Sequence, residues 1–454
     1  MKPGVPKGTR DFTPLQVNRR NYIFDTIRHV FVQFGYQPIE TPAMENLSTL
    51  TGKYGDEGDQ LLFKVLNNGD FLRKADHQAL QSGDSAALIP SISKRGLRYD
   101  LTVPFARFVV MHQNDLALPF KRYQIQPVWR ADRPQKSRYQ EFYQCDVDVV
   151  GSDSLMYEAE LVQIYDLVFH HLKLPVTIKI NNRKILAGIA EVAGIADQFA
   201  EMTVAIDKLD KVGMPGVREE LDKRGIPQPA VAQIEEMLGA KNLDDLRPFF
   251  SESEIGQVGI QELETFRRYF AAYTPSNTVQ IEFTLARGLH YYTGCIFEVK
   301  AEGVAIGSIG GGGRYDDLTG VFGLKGTSGV GISFGADRIY DCLEALNLFP
   351  DETVDRLQVL LVTFDDASHL YGFQCLQKMR EAGIRAELYP DPVKMKKQMK
   401  YANDRQAAYV VIIGSQEMET GRLAFKNMAT GEQTEKELDE IMAFLTSAPA
   451  KPRN

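Results

Sequence analysis

Apolar residues recur along the chain with two different spacings, which predict helices in some segments and strands in others. Between residues 15 and 34 an apolar side chain falls at every third or fourth position, and this spacing predicts a helix with one buried face. Gly35 is expected to end that helix, because glycine is common just past a helix terminus. A short strand is then predicted over residues 36–40.

Two longer strands are predicted over residues 120–130 and 140–150, joined by a polar loop. In the second strand one face carries Tyr143, Cys145, Val147 and Val149, and the other carries Phe142, Gln144, Asp146 and Asp148. The first face suits a hydrophobic core. The second is either a sheet face washed by solvent or the floor of an open site, about 20 Å long and sufficient for a two-part ligand.

Four further changes in pattern divide the chain. Residues 66–95 are polar and predict a loop or mobile insert. Residues 190–272 have helical spacing with Gly and Pro breaks, which predicts a helical insertion, and residues 345–356 predict a linker. The alternating strands and helices that follow predict a small α/β unit with parallel central strands. The expected limits are 1–190 and 276–346 for the two parts of one domain, 191–275 for the insertion and 357–446 for the C-terminal unit.

The composition is that of a globular chain. Of 454 residues, 44% are hydrophobic and 25% are charged, which excludes a disordered tail or a collagen. The net charge is −8, so the whole-chain charge does not indicate a nucleic-acid binder. Locally the sign reverses: residues 121–140 hold six basic side chains against Asp132, a charge of +5, and residues 394–405 hold five against Asp404, a charge of +4. Such islands fit a polyanion, although a solvated face is an equal alternative for the second.

The four cysteines, Cys145, Cys295, Cys342 and Cys375, have no CxxC spacing and no accompanying His cluster. We therefore expect reduced thiols and no zinc ribbon. Residues 1–12 lack the apolar core of a signal peptide, and no apolar run approaches the roughly 18 residues that cross a bilayer. These features predict a cytoplasmic protein with no membrane partner.

Arginines near the ends of predicted strands are the first candidates for chemistry. Arg130 ends the first long strand, Arg287 follows a later one, and Arg338 opens a helix. Guanidinium groups in such places can bind phosphate oxygens and stabilise the charge that develops in phosphoryl or nucleotidyl transfer. Surface ion pairs are the alternative. The glycines at 310–313 favour close backbone approach to a ligand, but no P-loop Lys-Ser/Thr follows them.

Several segments, spread over essentially the whole chain, resemble the histidyl-tRNA synthetase family. Segment 120–148, which contains Arg130 and the run Arg133-Pro134-Gln135-Lys136, resembles motif two of that family. The other resembling segments are 7–12 at the N-terminus, 36–42 as motif one, 286–294 and 312–316 as the two histidine-specific signatures, and 329–338 as motif three.

The resemblance implies a class II synthetase fold: an α+β catalytic domain with an antiparallel sheet and flanking helices, a helical insertion, and a C-terminal α/β anticodon-binding domain. It implies ligation of L-histidine to tRNA(His) through histidyl-adenylate, with ATP and its bound Mg²⁺ as substrate and no metal site built by the protein. It also implies a homodimer through the segment near Pro42. The alternative is a non-catalytic paralogue that regulates a histidine-biosynthetic enzyme, but such paralogues typically lose the catalytic arginine.

Site residues follow from the same resemblance, position by position. Arg287 and Arg130 are the expected catalytic residues, both at the α-phosphate of ATP. Phe142 is expected to stack on the adenine and Arg338 to hold the γ-phosphate. His290 stands where the family usually has an acid. The residues expected to bind histidine are Asp100, Thr102, Gln144, Asp148, Arg287, Tyr291 and Tyr292.

Overall fold

The computed structural model describes residues 2–52, 59–286, 291–353 and 357–447. The chain divides into two units, Met1–Pro350 and Asp351–Asn454, each with its own sheet and core. Within the described ranges, none of the helices combines the length and the apolar character that a membrane crossing requires.

The first unit contains a large sheet and a small one. Its strands are β1 (Gln37–Pro38), β2 (Met44–Asn46), β3 (Lys64–Val65), β4 (Arg95–Leu97), β5 (Phe120–Trp129), β6 (Glu141–Val150), β7 (Val176–Asn182), β8 (Thr278–Ile281), β9 (Cys295–Ala301), β10 (Gly310–Tyr315) and β11 (Gly329–Gly335). The large sheet has the order β1-β5-β6-β11-β10-β9-β7-β8. Its pairs are antiparallel except β1 with β5 and β7 with β8. The small sheet, β2-β4-β3, is antiparallel.

The described helices of the first unit flank these sheets and fill the connection between β7 and β8. They are α1 (Pro14–Gln33), α2 (Leu47–Leu50), α3 (His77–Ser82), α4 (Ser85–Ile92), α5 (Thr102–Met111), α6 (Met156–His171), α7 (Arg183–Val192), α8 (Phe199–Ile206), α9 (Leu209–Lys223), α10 (Gln228–Leu238), α11 (Leu243–Leu246), α12 (Glu254–Phe270) and α13 (Ala336–Ala345). A largely antiparallel sheet with flanking helices confirms the predicted fold class.

Helix α1, Pro14–Gln33, agrees with the helix predicted over residues 15–34 to within one residue at each end. Pro14 occupies its first position, where the missing N–H is not needed. The backbone N–H of Thr13 donates to Oε1 of Gln16 at 2.8 Å, which satisfies one donor at the helix entry. Gly35 follows the last turn with a φ of +78°, a conformation that favours glycine.

The two faces predicted for β6 are confirmed. Cys145, Val147 and Val149 are buried in the main hydrophobic cluster together with Ile23 and Ile27 of α1. Burial of apolar surface contributes about 25 cal/mol per Å², so this face fixes the register of the strand. A slip of one residue would put the polar face of β6 into the core.

Residues 66–95, predicted to be a loop or mobile insert, instead contain the helices α3 and α4. Asp76 and Asp84 cap them, each accepting two backbone N–H bonds of 2.9–3.1 Å. Such a cap stabilises a helix by about 1 kcal/mol. The sequence pattern does not reveal these helices, because α3 buries only Ala79 and α4 buries nothing, so neither has the apolar stripe that identifies a helix in sequence.

Between β7 and β8 the connection consists of helices joined by turns, as the spacing over residues 190–272 predicted, although the first helix, α7, already begins at Arg183. Helix α9 is kinked at Gly213, which has a φ of +67° two residues before Pro215. The kink agrees with one of the predicted breaks in helical spacing.

The second unit is a five-stranded sheet with helices. Its elements are β12 (Val359–Thr363), α14 (Asp366–Glu381), β13 (Ala386–Leu388), α15 (Met395–Asp404), β14 (Tyr409–Ile413), α16 (Ser415–Thr420), β15 (Arg422–Asn427), β16 (Gln433–Glu437) and α17 (Leu438–Ser447). The strand order is β13-β12-β14-β15-β16. Strand β12 is parallel to both neighbours, which confirms the predicted parallel centre.

Candidate active site

The candidate site lies on the face of the large sheet opposite the main core. Phe142, Gln144, Asp146 and Asp148 follow one another along this face of β6, since the intervening residues belong to the core. The register sets Gly335, Ser333 and Gly331 of β11 beside Gln144, Asp146 and Asp148, respectively. A Cβ atom at Gly335 would meet nothing nearer than 3.4 Å, so the glycine leaves space above the strand.

The Asp148 carboxylate is held on both oxygens. Oδ2 lies 2.8 Å from Nη2 of Arg122, which is fully buried, and Oδ1 accepts a hydrogen bond of 2.7 Å from the Tyr315 hydroxyl. Burial raises the pKa of Asp148, while Arg122 and Tyr315 oppose the shift. At Gly331 a Cβ atom would overlap this carboxylate. Asp148 is therefore fixed in position and partly neutralised.

Asp100 and the two expected tyrosines meet beside Asp148. The Tyr291 hydroxyl donates to Oδ2 of Asp100 at 3.3 Å, and Oδ1 of Asp100 accepts from the backbone N–H of Val103 at 3.1 Å. The rings of Tyr291 and Tyr292 lie 5.0 Å apart. Burial, with Asp148 and Asp100 adding to it, raises the pKa of Tyr292. These side chains form an aromatic wall that faces carboxylates, and Thr102 lies at the first position of the adjacent helix α5.

Gln144 and Asp146 share the hydroxyl of Ser333. Nε2 of Gln144 donates to Oγ of Ser333 at 2.9 Å, and Asp146 is hydrogen-bonded to the same side chain. Burial raises the pKa of Asp146 to about 7. Asp146 is not among the site residues predicted from the sequence, although the alternation along β6 puts it between two expected substrate-binding residues, Gln144 and Asp148.

Arg122 is a second residue whose role was missed. In the sequence it counts toward the basic island at 121–140, but the structure buries it beside Asp148. Its neighbour Lys121 forms an ion pair of 2.7 Å with Glu160. The part of the island that can meet a polyanion is therefore the loop after β5, where Arg133 and Lys136 are exposed. Alternation along β5 could have placed Arg122 on the polar face.

Arg130 and Phe142, both expected to contact ATP, lie side by side where β5 and β6 meet the loop. The guanidinium carbon of Arg130 is 5.2 Å from the centre of the Phe142 ring and 4.2 Å from that of Tyr99. Nε of Arg130 donates to the carbonyl oxygen of Tyr99 at 3.1 Å. A flat cation next to a half-buried aromatic ring suits a nucleotide, whose base can stack while its phosphate pairs.

Arg338 is held between the loop after β5 and the segment that precedes β10. Its Nε donates to the carbonyl oxygen of Ser137 at 3.0 Å, and Nη1 donates to that of Ser308 at 2.7 Å. Arg338 therefore faces the same loop whose first residue is Arg130. Arg287 and His290 fall among residues 287–290, outside the described part of the chain.

The N-terminal segment packs on this loop, a feature the sequence did not predict. The carbonyl oxygen of Gly8 accepts from the backbone N–H of Gln140 at 2.9 Å. The guanidinium of Arg10 lies 3.2 Å from the centre of the Tyr139 ring and pairs with Asp337. Asp337 also pairs with Arg20 of α1 and directly precedes Arg338.

Across the described ranges, no group of three or more His, Cys, Asp or Glu side chains is arranged to hold a metal ion.

Comparison with known proteins follows the same division of the chain. The family model described as histidyl-tRNA synthetase matches residues 70–339, and the one described as anticodon binding domain matches residues 358–448. A histidine–tRNA ligase from Phocaeicola vulgatus is 57% identical over 449 residues, covering 98% of this chain and 99% of that relative. The chain belongs to the histidyl-tRNA synthetase family.

Solved structures extend the likeness to the fold. The crystal structure of a histidyl-tRNA synthetase from Nostoc sp. PCC 7120 has a TM-score of 0.82 at 30% identity, covering 99% of this chain and all of that one. An ATP phosphoribosyltransferase regulatory subunit/histidyl-tRNA synthetase from Bacillus halodurans has a TM-score of 0.70 at 21% identity, covering 91% of this chain. The fold alone therefore does not separate synthetases of this family from regulatory relatives, and the side chains of the site must do so.

Proposed function

We propose that this chain activates L-histidine with ATP and transfers the histidyl group to tRNA(His). The observation that supports this most directly is the order of side chains along β6. Phe142 lies at one end beside Arg130, and Asp148 lies at the other end in a buried pair with Arg122. A nucleotide at the first end and an amino-acid side chain at the second would bring phosphate and carboxylate together between them.

In the first step a carboxylate oxygen of histidine attacks the α-phosphorus of ATP. The bond from that phosphorus to the bridging oxygen breaks, and pyrophosphate leaves with the electron pair. Arg130 is proposed to hold the α-phosphate, Phe142 to stack on adenine, and Arg338 to bind the γ-phosphate. Arg287 is proposed to add a second cation at the α-phosphate, where negative charge increases in the transition state. Mg²⁺ accompanies the ATP as part of the substrate.

Histidine is proposed to bind at the Asp148 end of the strand. Asp100, Thr102 and Gln144 would bind its amino group and backbone, and Arg287 would reach its carboxylate. Asp148, with Tyr291 and Tyr292 beside it, would read the imidazole, because a fixed carboxylate and hydroxyl can match the two ring nitrogens. An amino acid without those nitrogens leaves buried polar groups unpaired and is rejected.

In the second step a hydroxyl oxygen of the terminal tRNA ribose attacks the carbonyl carbon of histidyl-adenylate, and AMP leaves. Exposed basic side chains in both units are proposed to hold the RNA. In the first unit these are Arg133, Lys136 and Arg138 of the loop after β5, and in the second they are the lysines of α15. Each neutralised phosphate contributes to binding and to its dependence on salt.

The non-catalytic paralogue is disfavoured as an account of this chain. The relative at 57% identity over nearly the full length is a histidine–tRNA ligase. Arg130 and Arg338 are present and face one loop, Arg287 is present in the sequence, and the anticodon-binding unit is a complete α/β sheet.

We further propose a cytoplasmic homodimer with the domain limits expected from the sequence. Exposed apolar side chains near the motif-one segment, including Met44, Met111 and Leu118, suit a self-complementary contact, and twofold homodimers are the commonest soluble oligomers. Sedimentation equilibrium distinguishes a dimer from a monomer of 51.0 kDa.

The experiment that tests the proposed activity is exchange of labelled pyrophosphate into ATP, with each amino acid supplied separately. We expect exchange with histidine alone. Exchange with another amino acid, or binding of histidine without exchange, would contradict the proposal, and the second result would favour the regulatory paralogue.

A further inference from the structure

Asp146 lies in the middle of the proposed histidine site, yet none of the roles given above uses it. It is 2% exposed and lies between Gln144 and Asp148 on the open face of β6. It is paired in register with Gln124 of β5 and Ser333 of β11. Its carboxylate is bonded to the Ser333 side chain, but Oδ1 has no hydrogen-bond partner among the residues that the structure describes.

Gln144 has a similarly incomplete set of hydrogen bonds. Its Nε2 donates to Ser333, whereas its buried Oε1 finds no partner within the described chain. Buried acceptors without a donor are rare in folded proteins, because they lose their hydration without replacement. Two such acceptors, next to each other on one sheet face, point to a ligand that carries N–H groups.

The charges around Asp146 indicate what kind of ligand this is. The titratable groups that interact electrostatically with Asp146 are Arg122 on β5, Cys145 and Asp148 on β6, Asp100 before α5, Arg98 after β4, Tyr165 on α6, and Tyr292. Tyr315 on β10 bonds to the neighbouring Asp148. Of the two arginines, Arg122 already pairs with Asp148, and Arg98 donates to the carbonyl oxygens of Pro127 and Thr41. Among the described residues, the adjacent carboxylates Asp146 and Asp148 therefore share one cation, Arg122.

We propose that Asp146 is a further substrate-binding residue, whose free oxygen accepts a hydrogen bond from the α-ammonium group of histidine. An ammonium supplies both the donors that Asp146 and Gln144 lack and the positive charge that this part of the site lacks. The imidazole is left to Asp148, whose carboxylate Arg122 and Tyr315 already orient. This inference rests on the proposed function, since it assumes that histidine is the bound amino acid.

The first test compares two ligands on the variant Asp146→Asn by isothermal titration calorimetry at pH 8. One ligand is L-histidine, and the other is imidazolepropionate, which keeps the imidazole and the carboxylate and lacks only the amino group. A hydrogen bond to a charged group corresponds to a loss of about 10- to 100-fold in affinity. We expect the variant to bind histidine more weakly by that factor and to bind imidazolepropionate as the wild type does.

The matched control is Asp341→Asn, which removes one carboxylate of α13 that accepts from Tyr139 and lies outside the proposed histidine contacts. It is expected to leave both affinities unchanged. Thermal unfolding of Asp146→Asn shows whether the variant is folded, and the amide has nearly the size of the carboxyl group it replaces.

The second test needs no variant. Burial, with Asp148 adding to it and Arg122 opposing it, raises the pKa of Asp146 to about 7, and a bound ammonium lowers that pKa again. Histidine binding near pH 7 is therefore expected to release a proton, and its affinity is expected to fall from pH 8 to pH 6. Calorimetry in phosphate and in Tris, which differ in ionisation heat, measures that proton. Imidazolepropionate is the reference ligand for proton release, because its imidazole ring titrates as that of histidine does.

Three outcomes contradict the proposal for Asp146, and a fourth contradicts the proposed function. If Asp146→Asn lowers the affinities for histidine and imidazolepropionate equally, then Asp146 shapes the site or contacts the imidazole ring, and the proposal fails. It also fails if histidine affinity is unchanged, or if both ligands release the same number of protons. If the wild-type chain binds no histidine at all, the proposed function itself is wrong.

Discussion

Arg122 is a residue of the candidate site that also contributes to the stability of the fold. It is fully buried and compensates the charge of Asp148 at 2.8 Å. Removing one partner of such a pair leaves the other charge without compensation, which costs about 3–5 kcal/mol. We expect Arg122→Met to lower the free energy of unfolding at pH 8 by about that amount, measured by urea titration.

The control for Arg122→Met is Arg28→Met, which removes an exposed ion pair with Asp25. Exposed pairs contribute about 1 kcal/mol or less, so the two losses should differ several-fold. Equal small losses would mean that Arg122 does not compensate Asp148.

Arg287 is expected to act on the transition state of adenylate formation and not on histidine binding. If it acts on charge that develops at the α-phosphorus, then Arg287→Ala should leave the Kd of histidine nearly unchanged and slow adenylate formation by about 100-fold or more. Single-turnover measurement of adenylate, beside calorimetry of histidine, separates the two quantities. Equal losses in binding and in rate would instead assign Arg287 to binding alone.

Residues of the site could be predicted from the sequence where alternation and resemblance agreed. Gln144 and Asp148 were placed correctly on one face of β6, opposite Cys145 and Val147. Arg122 and the role of Asp146 were not predicted, because a charged residue in a strand usually faces solvent. Whether it is instead buried depends on a partner from another strand, and that pairing needs the three-dimensional register.

At the scale of elements, the N-terminal segment and the loop after β5 form one assembly. Arg10 stacks on Tyr139 and pairs with Asp337, next to Arg338. We expect Arg10→Ala to free the loop and raise the KM for ATP about 10-fold, with the KM for histidine unchanged, because histidine is proposed to bind at the far end of β6. Pyrophosphate exchange at varied ATP and varied histidine measures both constants.

Arg19→Ala is the matched control for Arg10→Ala, because Arg19 pairs with Glu344 at 3.2 Å and not with the loop. It is expected to leave both constants near the wild-type values. A parallel rise in both constants for Arg10→Ala would mean that the segment supports the whole fold rather than the loop.

Elements with strong periodicity, such as α1, β6 and β12, were predicted correctly, whereas α3 and α4 were not. The difference is physical: an element that buries a wide apolar face reveals its period in the sequence, while short helices stabilised by the Asp76 and Asp84 caps do not.

At the scale of the whole molecule, the charge of −8 conceals a basic surface on the second unit. Lys396, Lys397 and Lys400 are exposed on α15, whose opposite side buries Gln398 and Ala402. Replacing the three lysines by alanine should lower kcat/KM for tRNA about 10-fold and make its salt dependence shallower. Pyrophosphate exchange should not change, since it needs no RNA.

The control for the three lysines is the pair Lys378→Ala and Arg380→Ala, which are exposed at the end of α14 in the same unit. They should leave the kinetics with tRNA unchanged. A similar loss from both sets would mean that the unit attracts RNA only through its overall charge.

The position of β6 inside the large sheet has a consequence for time-resolved experiments. The strand is paired with β5 along ten residues and with β11 along seven, so its amide hydrogens exchange with deuterium only when the unit opens widely. The loop after β5 lies outside both sheets and is held by the N-terminal segment, Leu61 and Arg338, so it opens at a lower free energy than the strand does. Substrates therefore bind to a strand, β6, that is already ordered. The conformational entropy lost on binding is lost by the loop. Substrate binding is therefore expected to lower deuterium uptake in the loop. It is not expected to change uptake in β6, although that strand is proposed to supply most of the substrate contacts.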